Sequence, residues 1–373
     1  MIKIGVTGKN GFVARHLLNT LLFVEQGFEV IDFERGYFDD AEKLQCFVIE
    51  CDVIVHLAGV NRHEDKRVIY DTNIDLAQKL VDACLATKAT PHIVFSSSIQ
   101  EKRDNLYGKA KKQAREVLEN WASANEAAFS GLIIPNVFGP FGDPFYNSVV
   151  ATFCHQVASN QTPTIDNDGT VSLIYVNELV SEIIKIIKNP KSDIAIYNID
   201  ATSKIKVSEL LAKLDAFRTG YLSKGLVPNL NNNFDLSLFN TFLTYVDFEQ
   251  FFPFQLPQRT DDRGSFVETM KLQSGGQVSF STTVPGVTRG NHFHTRKAER
   301  FAVIQGKALI ELRKVDSDKV YSFVLDGNQP SFVDMPIWHT HNIKNIGDDT
   351  LLTIFWINEH FNPDDGDTYF SKV

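Results

Sequence analysis

The chain has 373 residues, of which 43% are apolar and 22% charged, and its formal net charge is -9 at neutral pH. That length exceeds one ordinary core and implies two or three domains, and that composition excludes a disordered or fibrous chain. The acidic balance excludes nucleic acid as a main partner, because neutralising phosphates needs a clustered basic surface.

Cys46, Cys51, Cys84 and Cys154 show no ligand-like pairing and read as reduced thiols. The first strand begins at Ile2, which leaves no room for a signal peptide, and no apolar run approaches membrane-span length. The expected compartment is the cytoplasm, with no membrane partner.

Met1 to Val6 predicts a short apolar strand, followed at once by Gly8, Lys9, Asn10, Gly11, Phe12 and Val13 and then by a helix with Leu17, Leu18, Leu21 and Leu22 on one face. Strand, glycine turn and helix form the setting of a phosphate-binding loop, where the pyrophosphate lies at the helix N-terminus. A second strand is expected from Glu29 to Phe33. Asp32 lies about twenty residues past the loop, where a carboxylate holds the ribose of NAD. Arg35 instead suits the extra phosphate of NADP, helped by Lys9 or Arg15. Both readings stay open, with NADPH preferred.

The strand from Asp52 ends in Leu57, Ala58 and Gly59, small residues suited to meeting a cofactor. An amphipathic helix follows from Tyr70 to Ala86, and then a strand from His92 to Ser98. Strands alternating with helices predict a Rossmann-like, doubly wound parallel sheet, which binds ligands outside the carboxyl ends of its strands. Tyr107 opens the next helix, and Lys111 shares its face four residues on. A neighbouring ammonium favours phenolate and brings the phenol towards working pH. With Ser98 on the same substrate oxygen, Tyr107 can protonate a carbonyl while hydride arrives from a nicotinamide.

These segments, with PNVFGP at 135–140 and IYVNEL at 174–179, resemble the extended short-chain dehydrogenase/reductase family of nucleotide-sugar enzymes. The resemblance implies that Ser98 is the catalytic serine, Tyr107 the general acid and Lys111 its supporting lysine. Members often carry an arginine where Ile133 stands. Asn136 falls in the PNVFGP segment, and Asn147 and Ser148 open a helix as sugar or phosphate ligands or as an N-cap pair. Residues from Lys204 to Phe242 read as helices and polar loop covering the pocket.

Phe248 to Pro257 reads as the crossing between a first domain at 1–245 and a second at 246–373. Beyond it, short alternating strands at Gln277–Thr283, Arg300–Ile304, Ala308–Arg313, Val320–Leu325 and Leu351–Ile357 predict an antiparallel β-barrel or jelly roll. Gly286, His292, His294, Glu299 and Gly306 are set at the spacing of the first cupin motif, and His341 followed by Asn345 resembles the second, with Trp338 where glycine is usual. His292, His294, Glu299 and His341 are therefore the expected ligands of a divalent metal, zinc first among them.

Asp261 to Glu268 and Arg289 to His292 also resemble the deoxysugar ketose epimerases of the cupin superfamily. That resemblance makes His292 a base beside a keto group, and His294 is the other candidate for acid/base work. His292 cannot be ligand and free base at once, and a metal or Arg263 is left to stabilise the enediolate. The two domains together resemble the bifunctional epimerase/reductases of the UDP-N-acetyl-L-fucosamine pathway in capsule and O-antigen synthesis. This implies C-3 epimerisation of a UDP-2-acetamido-2,6-dideoxy-L-hexos-4-ulose, then NADPH-dependent C-4 reduction to UDP-N-acetyl-6-deoxy-L-talosamine, in a homodimer. The alternative is a keto-sugar reductase whose cupin domain is a non-catalytic dimerisation or metal-binding module.

Overall fold

The apolar runs of the first half lie side by side in one parallel sheet. In the computed structural model these are β1 (Ile2–Thr7), β2 (Phe28–Ile31), β3 (Val53–His56), β4 (His92–Ser98) and β5 (Phe129–Ile134). The sheet runs β2-β1-β3-β4-β5 and ends on the strand Ile194–Asn198, every pairing parallel. The structure describes residues 1–191, 193–261, 264–267, 269–273, 276–359, 362 and 364–373.

Helices α1 (Phe12–Phe23), α2 (Ala41–Glu50), α3 (Lys66–Thr87) and α4 (Leu106–Ala124) make the crossovers. Parallel strands need connections of this length, and right-handed helical crossovers bury both sheet faces. The stripe of α3 is Ala77, Leu80, Val81 and Cys84, all buried at the spacing of one helical face. On α4 the buried stripe is Ala110, Ala114, Leu118 and Trp121, and both helices join one core with Ile54, Ile93 and Phe95.

The second half changes period. Two five-stranded antiparallel sheets form there, one ordered 254–255, 331–335, 299–305, 351–357 and 277–283, the other 320–326, 307–314, 339–345, 288–293 and 369–370. Lys307–Lys314 shows the expected alternation, with Ala308, Ile310 and Leu312 buried. The strands expected from sequence are all present, as is the jelly-roll-like pairing of antiparallel sheets.

The chain divides into two compact units, the first comprising Met1–Phe138, Gly142–Val149 and Thr170–Ile205, the second Gly139–Phe141, Val150–Gly169 and Lys206–Val373. The helices Val207–Ala216 and Asn233–Leu243, expected to cover a pocket, belong to the second unit, where the Asn240 amide donates to the Arg296 carbonyl at 3.1 Å. Arg300 makes two bonds to Asp334 at 2.8 and 3.0 Å and one to the Gly225 carbonyl at 2.7 Å. The Tyr221 hydroxyl donates to the same Asp334 carboxylate. Phe248 to Pro257 is likewise woven into that unit, for Phe248 and Phe252 are buried and Phe254–Gln255 pairs with Ser331 and Phe332. Its aromatic rings need covering, which a bare crossing could not provide. Among the described residues no helix is long and apolar enough to cross a membrane.

Candidate active sites and metal centre

The strand order reverses beside β1, between excursions to β2 and to β3, and the carboxyl ends there open a crevice. Thr7 closes β1 and its hydroxyl pairs with the His56 Nδ1 at 2.8 Å, while Ala58 N–H donates to that hydroxyl oxygen at 3.2 Å. Gly8 follows at φ +75, and an added Cβ would stand 2.8 Å from the Ala58 backbone. Only glycine brings the two loops this close. Gly11 N–H bonds the Gly8 carbonyl at 2.8 Å and Gly11 becomes the N-cap of α1.

A cavity of about 390 Å³ lies against this turn, lined by Gly8, Lys9, Asn10, Gly11, Arg35, Leu57, Ala58 and Gly59 from the expected set. Phe33, Phe38, Val60, Thr72, Leu76 and Tyr146 complete it and went unnoticed in the sequence. Phe12 and Val13 lie in the first turn of α1, outside that lining, and Phe12 packs edge-on against His16 at 5.3 Å. An open glycine turn at a helix N-terminus fits the pyrophosphate of a nicotinamide dinucleotide. Lys9 is held 3.1 Å from Asp32 and also pairs with Glu34; these bonds, Glu34 first, outweigh burial and raise its pKa. Its charge is thus matched, whereas exposed Arg35 has no ion-pair partner among the described residues. Asn73, 3% exposed, braces the floor by donating to the Val60 and Ile69 carbonyls at 2.7 and 2.6 Å.

The expected reacting groups lie on β4 and α4, and Ser98, Tyr107 and Lys111 are not on the cavity lining. Ser98 ends β4 and its hydroxyl oxygen accepts from Gln100 N–H at 3.2 Å, capping the turn Ile99–Lys102. Asn105 caps α4 by accepting from Gly108 N–H at 2.7 Å. Glu101 accepts from Ser97 and from Arg115, the latter at 3.0 Å, locking that turn to α4. The expected depression of the Tyr107 phenol is not found. Burial, and then the neighbouring Tyr146, push it up to about 12. Lys111 is 5% exposed with its Nζ 4.4 Å above the Phe95 ring, and burial pushes it down to about 8 against the charge of Glu101. Desolvation therefore governs both groups, not attraction between them.

Asn136, Asn147 and Ser148 are not on the cavity lining. The Asn136 amide donates to the Ser172 carbonyl at 3.2 Å and that of Asn147 to the Asn61 carbonyl at 3.1 Å. Ser148 immediately precedes the helix Val149–Ala158. Tyr146 reaches the cavity instead, with its carbonyl gripped by the Arg62 guanidinium at 3.2 Å. A single tyrosine in a loop carries no sequence signal, which is why it was missed.

In the second unit His292, His294, Glu299 and His341 converge, their ligand atoms all within 4.8 Å of one another. Gly290 at φ +95 and Asn291 at φ 60 form a bulge that shifts the register, so that His292 pairs across from His341. His294 Nε2 and His341 Nε2 stand 3.2 and 3.1 Å from the same Glu299 oxygen. Each ring turns its other nitrogen to a backbone carbonyl, His294 to Asp367 at 2.5 Å and His341 to His339 at 3.2 Å. Such outer partners set the tautomer that presents Nε2 inward.

Burial alone would raise the Glu299 carboxyl, but bonds from His294 and His341 hold it below the ordinary carboxylate range. Burial and the charges of His341 and His294 push His292 down to about 4, leaving it a neutral imidazole. Three imidazoles and a buried carboxylate fit a divalent transition metal. Trp338, at the position where glycine is usual, adopts φ 57 and stacks on Phe293 at 5.4 Å. The left-handed turn is kept, and ring packing offsets its strain. Arg263 lies outside the described residues.

Residues 4–200 match the NAD dependent epimerase/dehydratase family and residues 259–369 the polysaccharide biosynthesis C-terminal domain. The UDP-2-acetamido-2,6-beta-L-arabino-hexul-4-ose reductase of Pseudomonas aeruginosa is 34% identical over 374 residues, covering 100% of this chain and 99% of that protein. The crystal structure of the capsular polysaccharide assembling protein CapF from Staphylococcus aureus matches at TM-score 0.64 and 34% identity, over 100% of both chains. RMD from Pseudomonas aeruginosa, solved with NADPH, shares the fold over 59% of this chain and 83% of its own, at TM-score 0.54 and 19% identity. With its glycine turn at the switch point of a parallel sheet and a full-length reductase relative, the chain belongs to the NAD dependent epimerase/dehydratase family.

Proposed function

We propose that this chain converts a UDP-2-acetamido-2,6-dideoxy-L-hexos-4-ulose in two steps, exchange of the C-3 proton in the barrel and NADPH-dependent reduction of the C-4 ketone in the first unit. The product is UDP-N-acetyl-6-deoxy-L-talosamine, a precursor class for capsule polysaccharide. The observation that carries this reading is the likeness over the whole chain to a hexul-4-ose reductase, in a sequence that also buries a His/Glu cluster. The order follows from chemistry. The C-3 proton is acidic only while C-4 is a ketone, so epimerisation precedes reduction.

When bound, the nicotinamide supplies hydride. Tyr107, pushed up to about 12, keeps its proton at neutral pH and is poised to deliver it to the carbonyl oxygen. Ser98 orients that oxygen, and Lys111 holds a positive charge nearby. Arg35 is the residue favouring NADPH over NADH, since Lys9 is already paired. In the barrel, His292, His294, Glu299 and His341 would hold a divalent metal, for which zinc suits the donor set, and which would supply Lewis acidity towards a keto oxygen. Neutral His292 is open to either role, ligand or base. A homodimer is supported by the edge strand Gln277–Thr283 and the loop after it, where Val278, Phe280 and Val284 are 51%, 72% and 60% exposed. The reactants, a nucleotide sugar and NADPH, place the work in the cytoplasm.

The test is Tyr107→Phe, assayed for NADPH oxidation and for solvent deuterium entering C-3. The expected result is a loss of oxidation by about 10²–10⁴-fold with exchange retained. Loss of both together defeats the two-site reading. Absence of C-3 exchange in the unaltered protein leaves a reductase with a non-catalytic barrel.

A further inference from the structure

Residues 365–373 supply none of the four ligand side chains, yet they touch each stretch that carries one. Tyr369–Phe370 pairs with His292 and Phe293, and Ser371 N–H donates to the Asn291 carbonyl at 2.9 Å. Thr340, next to His341, donates its hydroxyl to the Ser371 carbonyl. The densest of these contacts belong to Asp367, which is 5% exposed. One carboxylate oxygen accepts from the Thr295 N–H at 3.1 Å and the Thr295 hydroxyl at 2.6 Å. The other accepts from the N–H groups of Arg296 at 3.0 Å and Lys297 at 3.2 Å.

Thr295, Arg296 and Lys297 form the turn between His294 and Glu299, so this carboxylate holds the backbone joining two ligands. The Asp367 carbonyl takes the His294 Nδ1–H at 2.5 Å. Lys297, 2% exposed, returns a bond from its ammonium to the Gly366 carbonyl at 2.7 Å. Asp367 itself sits at φ 40, a left-handed conformation that aspartate and asparagine tolerate better than most residues.

We infer that Asp367 is a positioning residue of the metal centre: its carboxylate fixes the turn from His294 to Glu299 while its carbonyl fixes the His294 tautomer, preorganising the donors for a divalent cation. The inference rests on the reading of His292, His294, Glu299 and His341 as metal ligands. A clasp that merely stabilised the fold would leave the affinity and spectrum of a folded variant's metal unchanged.

The experiment uses the full chain, stripped with a chelator and titrated with Co²⁺, followed by visible absorption, with circular dichroism reporting the fold. Asp367→Asn keeps the shape and tolerates the φ, but turns an NH₂ towards N–H donors. It is expected to weaken Co²⁺ binding by about 10–100-fold and to alter the absorption band, with metal-free circular dichroism unchanged. Asp367→Ala is expected to lose at least as much. Wild-type affinity and spectrum in Asp367→Asn overturn the inference, and this variant decides the matter if Asp367→Ala fails to fold. If the unaltered chain takes up no Co²⁺, or if Glu299→Gln leaves its binding intact, the ligand reading itself fails and the inference falls with it.

Discussion

Lys111 shows how one buried side chain ties pH to chemistry. Burial, opposed by the charge of Glu101, pushes its ammonium down to about 8, whereas an unfolded chain keeps that proton to roughly 10.4. Between those values the unfolded state binds more protons, so the cost of burying this charge is relieved and the folded state gains stability as pH rises. In the proposed reduction activity is expected to run the other way, because the positive charge assigned to Lys111 beside the substrate oxygen is lost as pH passes about 8. The kcat/KM for reduction is therefore expected to fall above pH 8, and Lys111→Met is expected to be slower throughout and to lack that limb in a pH–rate profile. Tyr107 does not share the window, since burial pushes its phenol up to about 12. The Tyr-x-x-x-Lys pair was legible as spacing. The sign of the tyrosine shift was not, because desolvation depends on what packs around a phenol, and spacing carries no record of that.

At the scale of elements, close contact joins the bonds from Ser97 and Arg115 to Glu101 in setting the register between β4 and α4. A Cβ on Gly108 would come within 2.0 Å of the Gln100 carbonyl, so α4 sits hard against the turn that Ser98 caps. Gly108→Ala must push Tyr107 and Lys111 away from Ser98. The expected outcome is a thermal midpoint lowered in line with about 1–3 kcal/mol, a fall in NADPH oxidation, and metal content unchanged. Calorimetry and metal analysis on the same sample check both halves. Element positions were largely readable, as β4 and the strand Leu351–Ile357 begin and end where alternation places them. The Gly290–Asn291 bulge was not, because it appears only when the facing strand fixes which residue is left over.

For the whole molecule, the question is where the second unit begins. The sequence changes from helical to strand period near 245/246, but buried Arg300 and Asp334 draw partners from Gly225 and Tyr221. A fragment starting at Val246 loses both partners, at about 1–3 kcal/mol for each polar group left unsatisfied. A fragment starting at Lys206 is thus expected to melt higher by about 5 °C or more, as read by circular dichroism. Equal midpoints would make 245/246 a complete boundary. What the sequence by itself determined is local or periodic: the parallel sheet alternating with helices, the barrel strands, the glycine turn and the clustering of His292, His294, Glu299 and His341, each legible from hydrophobic period or motif spacing. Only the tertiary structure decided that Lys9 is spent on Asp32 and Glu34, that Tyr146 rather than Asn147 reaches the cavity, and that Asp367 braces His294. Those facts join residues far apart along the chain, and such pairings become definite only once packing has chosen which groups are buried together.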